Sequence, residues 1–317
     1  MTEPQALHEL GRSVYQLATT FQQMIEPHRP ALWRYCLRLT GSAWDAEDLV
    51  QETLMRAFAR LTHWQPLEPR AYLFRIASNA WIDQQRRTRG VREELDEGDP
   101  TTAAETGGTQ VDPAETLAAM EHLVGLLPPR QRVVVLLIDV FDFTAAEVAG
   151  MIGSTEGAVK AALHRARSTL RAAADRPEPP RVVPVTRPSS RVVAAYLEAF
   201  NRRDPDGIAA LLTDDATCDI VGLGVEYGKE TIRKYSLADW AAEPEDQWAE
   251  LGVLDGLETV FVYYRTPEHE KALAWLITLG TAGERITAIN GYYFCPELIR
   301  YAAERLGVPA ITHGYRV

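Results

Sequence analysis

The sequence predicts a multidomain chain in which two all-α helical domains precede an α+β domain. Three observations predict it. Apolar residues recur at helical spacing in two stretches of the first 174 residues; an acidic segment and a proline-rich segment interrupt the chain; and alternating strand-like runs separated by turn residues occur only after residue 190. At 317 residues the chain is long enough for two or three domains, each burying its own core.

The first helical segment spans residues 20–92. In "DAEDLVQETLMRAFARL", residues 45–61, Val50, Leu54, Ala57 and Leu61 fall on one stripe, which leaves Asp48, Gln51 and Glu52 outward. An acidic helix face suits a basic protein partner better than DNA. "RAYLFRIASNAWIDQQRR", residues 70–87, buries Leu73, Ile76, Ala77 and Ala80 and exposes Arg75, Asn79 and Arg86. Tyr72, Phe74 and Trp81 have two readings. They are core, which helical spacing alone explains for Phe74 and Trp81, or they are stacking platforms for an unpaired strand whose phosphates meet Arg and Asn. Residues 93–115 hold eight acids, no Lys or Arg and no helical period, the composition of a flexible linker.

The second helical segment spans residues 116–174. In "FTAAEVAGMIG", Thr144 and Glu147 stand at capping-box spacing, and Gly153 stands where a left-handed residue stops a helix. Ser154 or Thr155 then caps "STEGAVKAALHRARSTLR", residues 154–171. Val159, Leu163, Ala166 and Leu170 form its buried stripe, and Lys160, His164, Arg167 and Arg171 form a basic stripe beside it. A short helix, a glycine turn and a longer basic helix make the pattern of a helix-turn-helix, whose second helix enters a major groove. The plainer alternative is a solvated charged flank. "DRPEPPRVVPVTRPSS", residues 175–190, holds five prolines and is expected to be an extended, semi-rigid linker.

The formal net charge of -11 conceals an uneven distribution. Residues 191–317 carry 20 acids against 12 bases, and together with the acidic linker they leave a surplus of +5 on the two helical segments. The acidic average therefore does not argue against nucleic acid, because binding depends on where Lys and Arg cluster. No apolar run approaches the length of a membrane span, and "MTEPQALHEL" does not have the pattern of a secretion signal, so a cytoplasmic location is expected. Cys36, Cys218 and Cys295 are far apart with no CxxC spacing, the pattern of packed, reduced thiols. Neither a metal nor another cofactor is expected.

The order "DAEDLVQETLMRAF", "RAYLFRIASNAWIDQQRR", "LLPPRQRVVVLLIDVFDFTAAEVAGMIGSTEGAVKAALHRARSTLR" resembles the extracytoplasmic-function sigma factors of bacterial RNA polymerase. The resemblance covers residues 20–174 apart from the linker. It implies that the first segment is region two, which grips the clamp of the polymerase largest subunit and opens the promoter near −10. It also implies that the second is region four, which reads the −35 element and packs on the polymerase flap. Asp48, Gln51 and Glu52 match the polymerase-binding motif. Arg75, Asn79, Asp83, Arg86 and Arg87 are the implied −10 contacts, and Thr155, Lys160, His164, Arg165, Arg167 and Arg171 the implied −35 contacts. Ala161 and Ala162 stand where members of the family often have a polar and a basic residue, and Tyr72 where many have Trp.

Residues 191–317 look like a SnoaL-like domain, a cone of helices against a curved sheet. "SSRVVAAYLEAFNRRDPDGIAALLTDDATCDI" reads as a helix, a turn, a second helix and a strand; after a loop, strands are expected at about 259–265, 271–280 and 284–294. Asp214 and Asp215 are expected to cap or terminate structure. Some SnoaL-like proteins are enzymes, and Asp219, Tyr263 and His269 are the acid–base groups this domain offers, but no spacing marks any as catalytic and none is assigned. The implied function is a sigma factor, not an enzyme, regulated in cis by contact between its C-terminal domain and the sigma domains, with a small-molecule or protein signal. The alternatives are a helix-turn-helix regulator with a ligand-binding domain and a fused SnoaL-like enzyme.

Overall fold

A computed structural model describes residues 16–61, 68–89, 127–172 and 190–314. The acidic segment 93–115 and, except for Ser190, the proline-rich segment 175–190 lie outside the described residues. The chain divides into two compact units, Met1–Pro179 and Pro180–Val317.

In the N-terminal unit a helical stretch ending at residue 25 leads into α1 (Arg29–Thr40), α2 (Ala43–Leu61) and α3 (Pro69–Arg89). Gly41 ends α1 in the left-handed region at φ +80°, where its amide donates to the Leu37 carbonyl at 2.8 Å. Leu32, Tyr35 and Leu39 of α1 bury with Val50, Leu54 and Ala57 of α2 and with Leu73, Phe74, Ala77 and Trp81 of α3. Within this apolar packing lies a fully buried carboxylate, Glu47. Arg29 Nη2 donates to its Oε1 at 2.9 Å, Trp33 Nε1 to its Oε2 at 3.0 Å and Gln51 Nε2 to its Oε1 at 3.0 Å. Such an ion is tolerated only because its lone pairs are met by donors and its charge by Arg29.

The second helical segment forms α4 (Pro129–Asp139), α5 (Ala145–Ile152) and α6 (Glu156–Ala172). Val133 to Leu137 are buried without a break, as in a helix apolar on all sides and surrounded by others. The capping box is present: the Glu147 amide donates to Thr144 Oγ1 at 3.2 Å and the Thr144 amide to Glu147 Oε2 at 2.7 Å. Gly153 follows at φ +63°, and Thr155 Oγ1 accepts the Ala158 amide at 3.2 Å, so Thr155 caps α6.

The two helical segments pack together within this unit. The Phe74 ring stacks on Tyr35 at 4.9 Å, meets Phe141 edge-on at 5.0 Å and lies 5.4 Å from Phe143. Arg70 donates to the Phe141 carbonyl at 2.6 Å, and its guanidinium lies 4.6 Å from the Phe143 ring centre. Arg132 donates to the Leu39 carbonyl at the end of α1 at 2.7 Å, where the helix dipole favours a cation, and covers the Trp81 ring at 5.1 Å. Tyr72, Phe74 and Trp81 are all buried, so the core reading holds and none is an open stacking platform in this arrangement.

The C-terminal unit runs α7 (Arg191–Asn201), α8 (Pro205–Leu211), β1 (Leu212–Ile220), β2 (Gly224–Tyr227), α9 (Lys229–Lys234), α10 (Ser236–Ala242), β3 (Asp246–Leu254), β4 (Leu257–Arg265), β5 (Ala272–Ala282), β6 (Arg285–Gly291) and α11 (Pro296–Leu306). The six strands form one sheet in the order β2-β1-β6-β5-β4-β3; β1 runs parallel to β6 and every other pair is antiparallel. Ser190 caps α7 by accepting the Val193 amide, and Asp204 caps α8 by accepting the Gly207 amide. Tyr196 and Phe200 of α7, Ile208 of α8, Ile232 of α9 and Trp240 of α10 share one core with Cys218, Val262, Tyr264 and Ile277 of the sheet. The expected strands coincide with β4, β5 and β6. By contrast, β2, β3, α9 and α10 occupy what the sequence left as loop. Asp214 and Asp215 terminate nothing: both lie exposed within β1, and Asp214 pairs with Lys229 at 3.0 Å.

Removing one member of a buried ion pair leaves the other charge uncompensated, at about 3–5 kcal/mol. Glu47→Ala is expected to destabilise the N-terminal unit by that amount in urea unfolding followed by helical circular dichroism. The double change Arg29→Met with Glu47→Leu is expected to recover part of the loss.

Candidate functional site

The outward face of α2 is anchored from below. Asp48 is exposed, Gln51 is tied to the buried Glu47, and Glu52 is held by Arg56 at 2.6 Å one turn on. The same face carries a residue that sequence reasoning missed: Met55, 71% exposed. Its position off the Val50–Leu54–Ala57 stripe was the available signal, an apolar side chain on a polar face. An acidic rim thus surrounds an exposed thioether, a side chain that adapts its shape to what it meets.

On α3, Arg75 is exposed with its guanidinium 5.5 Å from the Tyr72 ring centre, and Asp83, Arg86 and Arg87 are exposed, Asp83 and Arg86 3.8 Å apart. Asn79 departs from expectation. It is half-buried and donates from Nδ2 to the Met151 carbonyl at 3.1 Å, because α5 packs over this part of α3.

On α6, Lys160, His164, Arg165 and Arg171 are exposed, and Lys160 reaches back to Glu156 at 2.7 Å. Thr155 is exposed but its hydroxyl is engaged as the helix cap. Arg167 also departs from expectation: its Nε and Nη2 meet Asp139 Oδ2 and Oδ1 at 2.9 and 2.6 Å, a bidentate pair that ties α6 to the end of α4. Those hydrogen bonds hold the guanidinium pKa above its usual value, against the opposing effect of burial. Ala162 is buried against the core, and Ala161 beside it is half-buried.

The acid–base groups of the C-terminal unit are not brought together on its cavity. Asp219 is half-buried on β1, with its carboxyl pKa raised by burial. Strand alternation turns it away from Cys218, which lines the cavity. Tyr263 is buried against Trp248 at 5.7 Å, and His269 is exposed between β4 and β5. None of the three lines the cavity. Among the described residues there is no cluster of three or more potential metal ligands, and no helix is long and apolar enough to cross a membrane.

Three family descriptions match the chain: Sigma-70 region 2 over residues 24–91, Sigma-70 region 4 over residues 117–170 and a SnoaL-like domain over residues 193–289. The ECF RNA polymerase sigma factor SigG of Mycobacterium tuberculosis is 34% identical over 231 residues, covering 62% of this chain and 60% of SigG. The ECF RNA polymerase sigma factor SigL of the same organism is 35% identical over 167 residues, covering 49% of this chain and 88% of SigL. The crystal structure of the M. tuberculosis extracytoplasmic function sigma factor SigJ is similar at 21% identity with a TM-score of 0.32, covering 86% of this chain and 95% of that one. With both sigma regions matched in order and SigL covered over most of its length, the chain belongs to the extracytoplasmic-function sigma factor family and carries a SnoaL-like domain on the C-terminal side of its sigma regions.

Proposed function

We propose that this chain binds core RNA polymerase and directs it to particular promoters. In this reading the face of α2 around Asp48, Gln51, Glu52 and Met55 docks on the polymerase clamp. The "LPPRQR" stretch of region four, residues 127–132, approaches the flap. α3 handles the opened −10 strand through Arg75, Asn79, Asp83, Arg86 and Arg87, and the exposed bases of α6 reach the −35 element. The C-terminal domain acts as a regulator in cis and not as an enzyme. One observation supports the reading: a single compact unit carries an anchored acidic face on α2 and, on a capped helix-turn-helix, a run of exposed basic residues. Because Asn79 is engaged by the Met151 carbonyl, α5 must leave α3 before Asn79 meets a DNA strand. Promoter opening is therefore coupled to separation of the two sigma regions.

Replacing Gln51 and Glu52 by Ala together with Met55→Asp is expected to abolish co-purification with core polymerase while leaving the helical circular dichroism intact. Retained core binding in the folded triple variant removes this face from the docking assignment.

Each phosphate contact contributes about 0.9 to the slope of log affinity against log salt. Lys160→Ala is expected to lower that slope by about this amount on a −35 duplex. Arg167→Ala, whose charge Asp139 takes, is expected to leave the slope nearly unchanged and to lower the melting temperature.

The 16 residues of segment 175–190 span about 50 Å if extended at roughly 3.1 Å each, and a tether of that length gives an effective concentration near the millimolar range. Truncation after Ser190 is expected to raise run-off transcription from a cognate promoter several-fold with core binding unchanged. Equal transcription across a range of salt removes the regulatory role.

A further inference from the structure

The C-terminal unit holds a half-open cavity of about 220 Å³ with a wall of aromatic rings. Phe200 of α7 lies 4.6 Å from Trp240 of α10 and 6.1 Å from Trp275 of β5, and Trp275 lies 6.0 Å from Tyr293, just beyond β6. Asp239 and Glu243 line the same space at the end of α10, and no Lys, Arg or His does. Glu243 is half-buried, and Gln247 Nε2 and Tyr264 Oη both donate to its Oε2, at 3.0 and 3.4 Å. Burial pushes its carboxyl pKa up, against the lowering effect of those two hydrogen bonds and of the Arg203 charge nearby.

Trp240 and Trp275 are only 6% and 8% exposed and their indole nitrogens are buried, so it is the carbon surface of the rings that meets the cavity.

The chemistry narrows the class of ligand. Aromatic faces carry negative charge density and attract an ammonium group, best over Trp. The two carboxylates repel an anion, and a neutral hydrocarbon leaves their charge unanswered. The volume lies below the range typical of drug-sized ligands. We propose that this cavity binds a small organic ammonium ion. Its cationic head lies among Phe200, Trp240, Trp275 and Glu243. The inference concerns the C-terminal unit alone and stands apart from the transcription reading.

The test is calorimetric titration of the full-length protein, at fixed ionic strength, with choline and with 3,3-dimethylbutan-1-ol, its uncharged carbon isostere. The two have the same shape and hydroxyl and differ in charge, so their ratio isolates the cation. Choline is expected to bind about tenfold more tightly than the isostere, and Glu243→Gln, which keeps an acceptor for Gln247 and Tyr264, to bring the ratio below about threefold. Should Glu243→Gln fail to fold by circular dichroism, Asp239→Asn takes its place under the same criterion. Equal affinity for the two compounds, binding of neither at millimolar concentration, or full discrimination surviving in the folded variant overturns the proposal.

Discussion

Phe74 is where the two sigma regions become one body. Its ring faces Tyr35 from its own region and Phe141 and Phe143 from the other, and Arg70 closes the cluster by covering Phe143 and holding the Phe141 carbonyl. Each aromatic pair contributes about 0.5–1.5 kcal/mol beyond the area it buries. The polar ties around the cluster, Arg132 to Leu39 and Asn79 to Met151, have their geometry only while these rings stay together. Parting the regions exposes Phe141 and Phe143 to water. The closed arrangement is thus favoured until another surface covers those rings or outweighs their burial.

Support for the outward face of α2 comes from beneath in the same way. Glu47 has no contact with solvent, yet it orients Gln51, and through Arg29 and Trp33 it fixes α1 against α2. Side chains on a surface helix are usually free to adjust. Here Gln51 is hydrogen-bonded to the core, so it has less rotamer freedom to lose in any contact it makes.

What could be read from the chain and what could not divide along sequence distance. The capping box at Thr144 and Glu147, the stop at Gly153 and the buried stripes of α2 and α6 are local, and residue type with spacing was enough for each. Strands β4 to β6 were legible because apolar runs and turns mark them. β3 was not, because a polar Gln247 is buried and an aromatic Trp248 stands on the outward face, which reverses the expected alternation, and its pairing with β4 supplies what its own pattern does not. For the site, the exposed bases of α6 followed from periodicity. The engagement of Asn79 with Met151 and of Arg167 with Asp139 joins residues 72 and 28 positions apart, and no local pattern records such pairs. Met55 carries no charge and lies off the apolar stripe, so neither charge nor periodicity marks it, although its place on the helical wheel is outward.

The three thiols are spread so that each unit holds at least one in its interior: Cys36 in the N-terminal unit, Cys218 and Cys295 in the C-terminal one. Burial pushes Cys36 well above the usual thiol range and Cys218 up to about 11, so little nucleophilic thiolate exists while either unit is closed. Alkylation chemistry therefore sees the folded chain as nearly thiol-free and the opened chain as thiol-bearing. Because the cysteines sit in different units, mass-resolved labelling assigns each opening event to the unit in which it occurs, with no probe added to the protein.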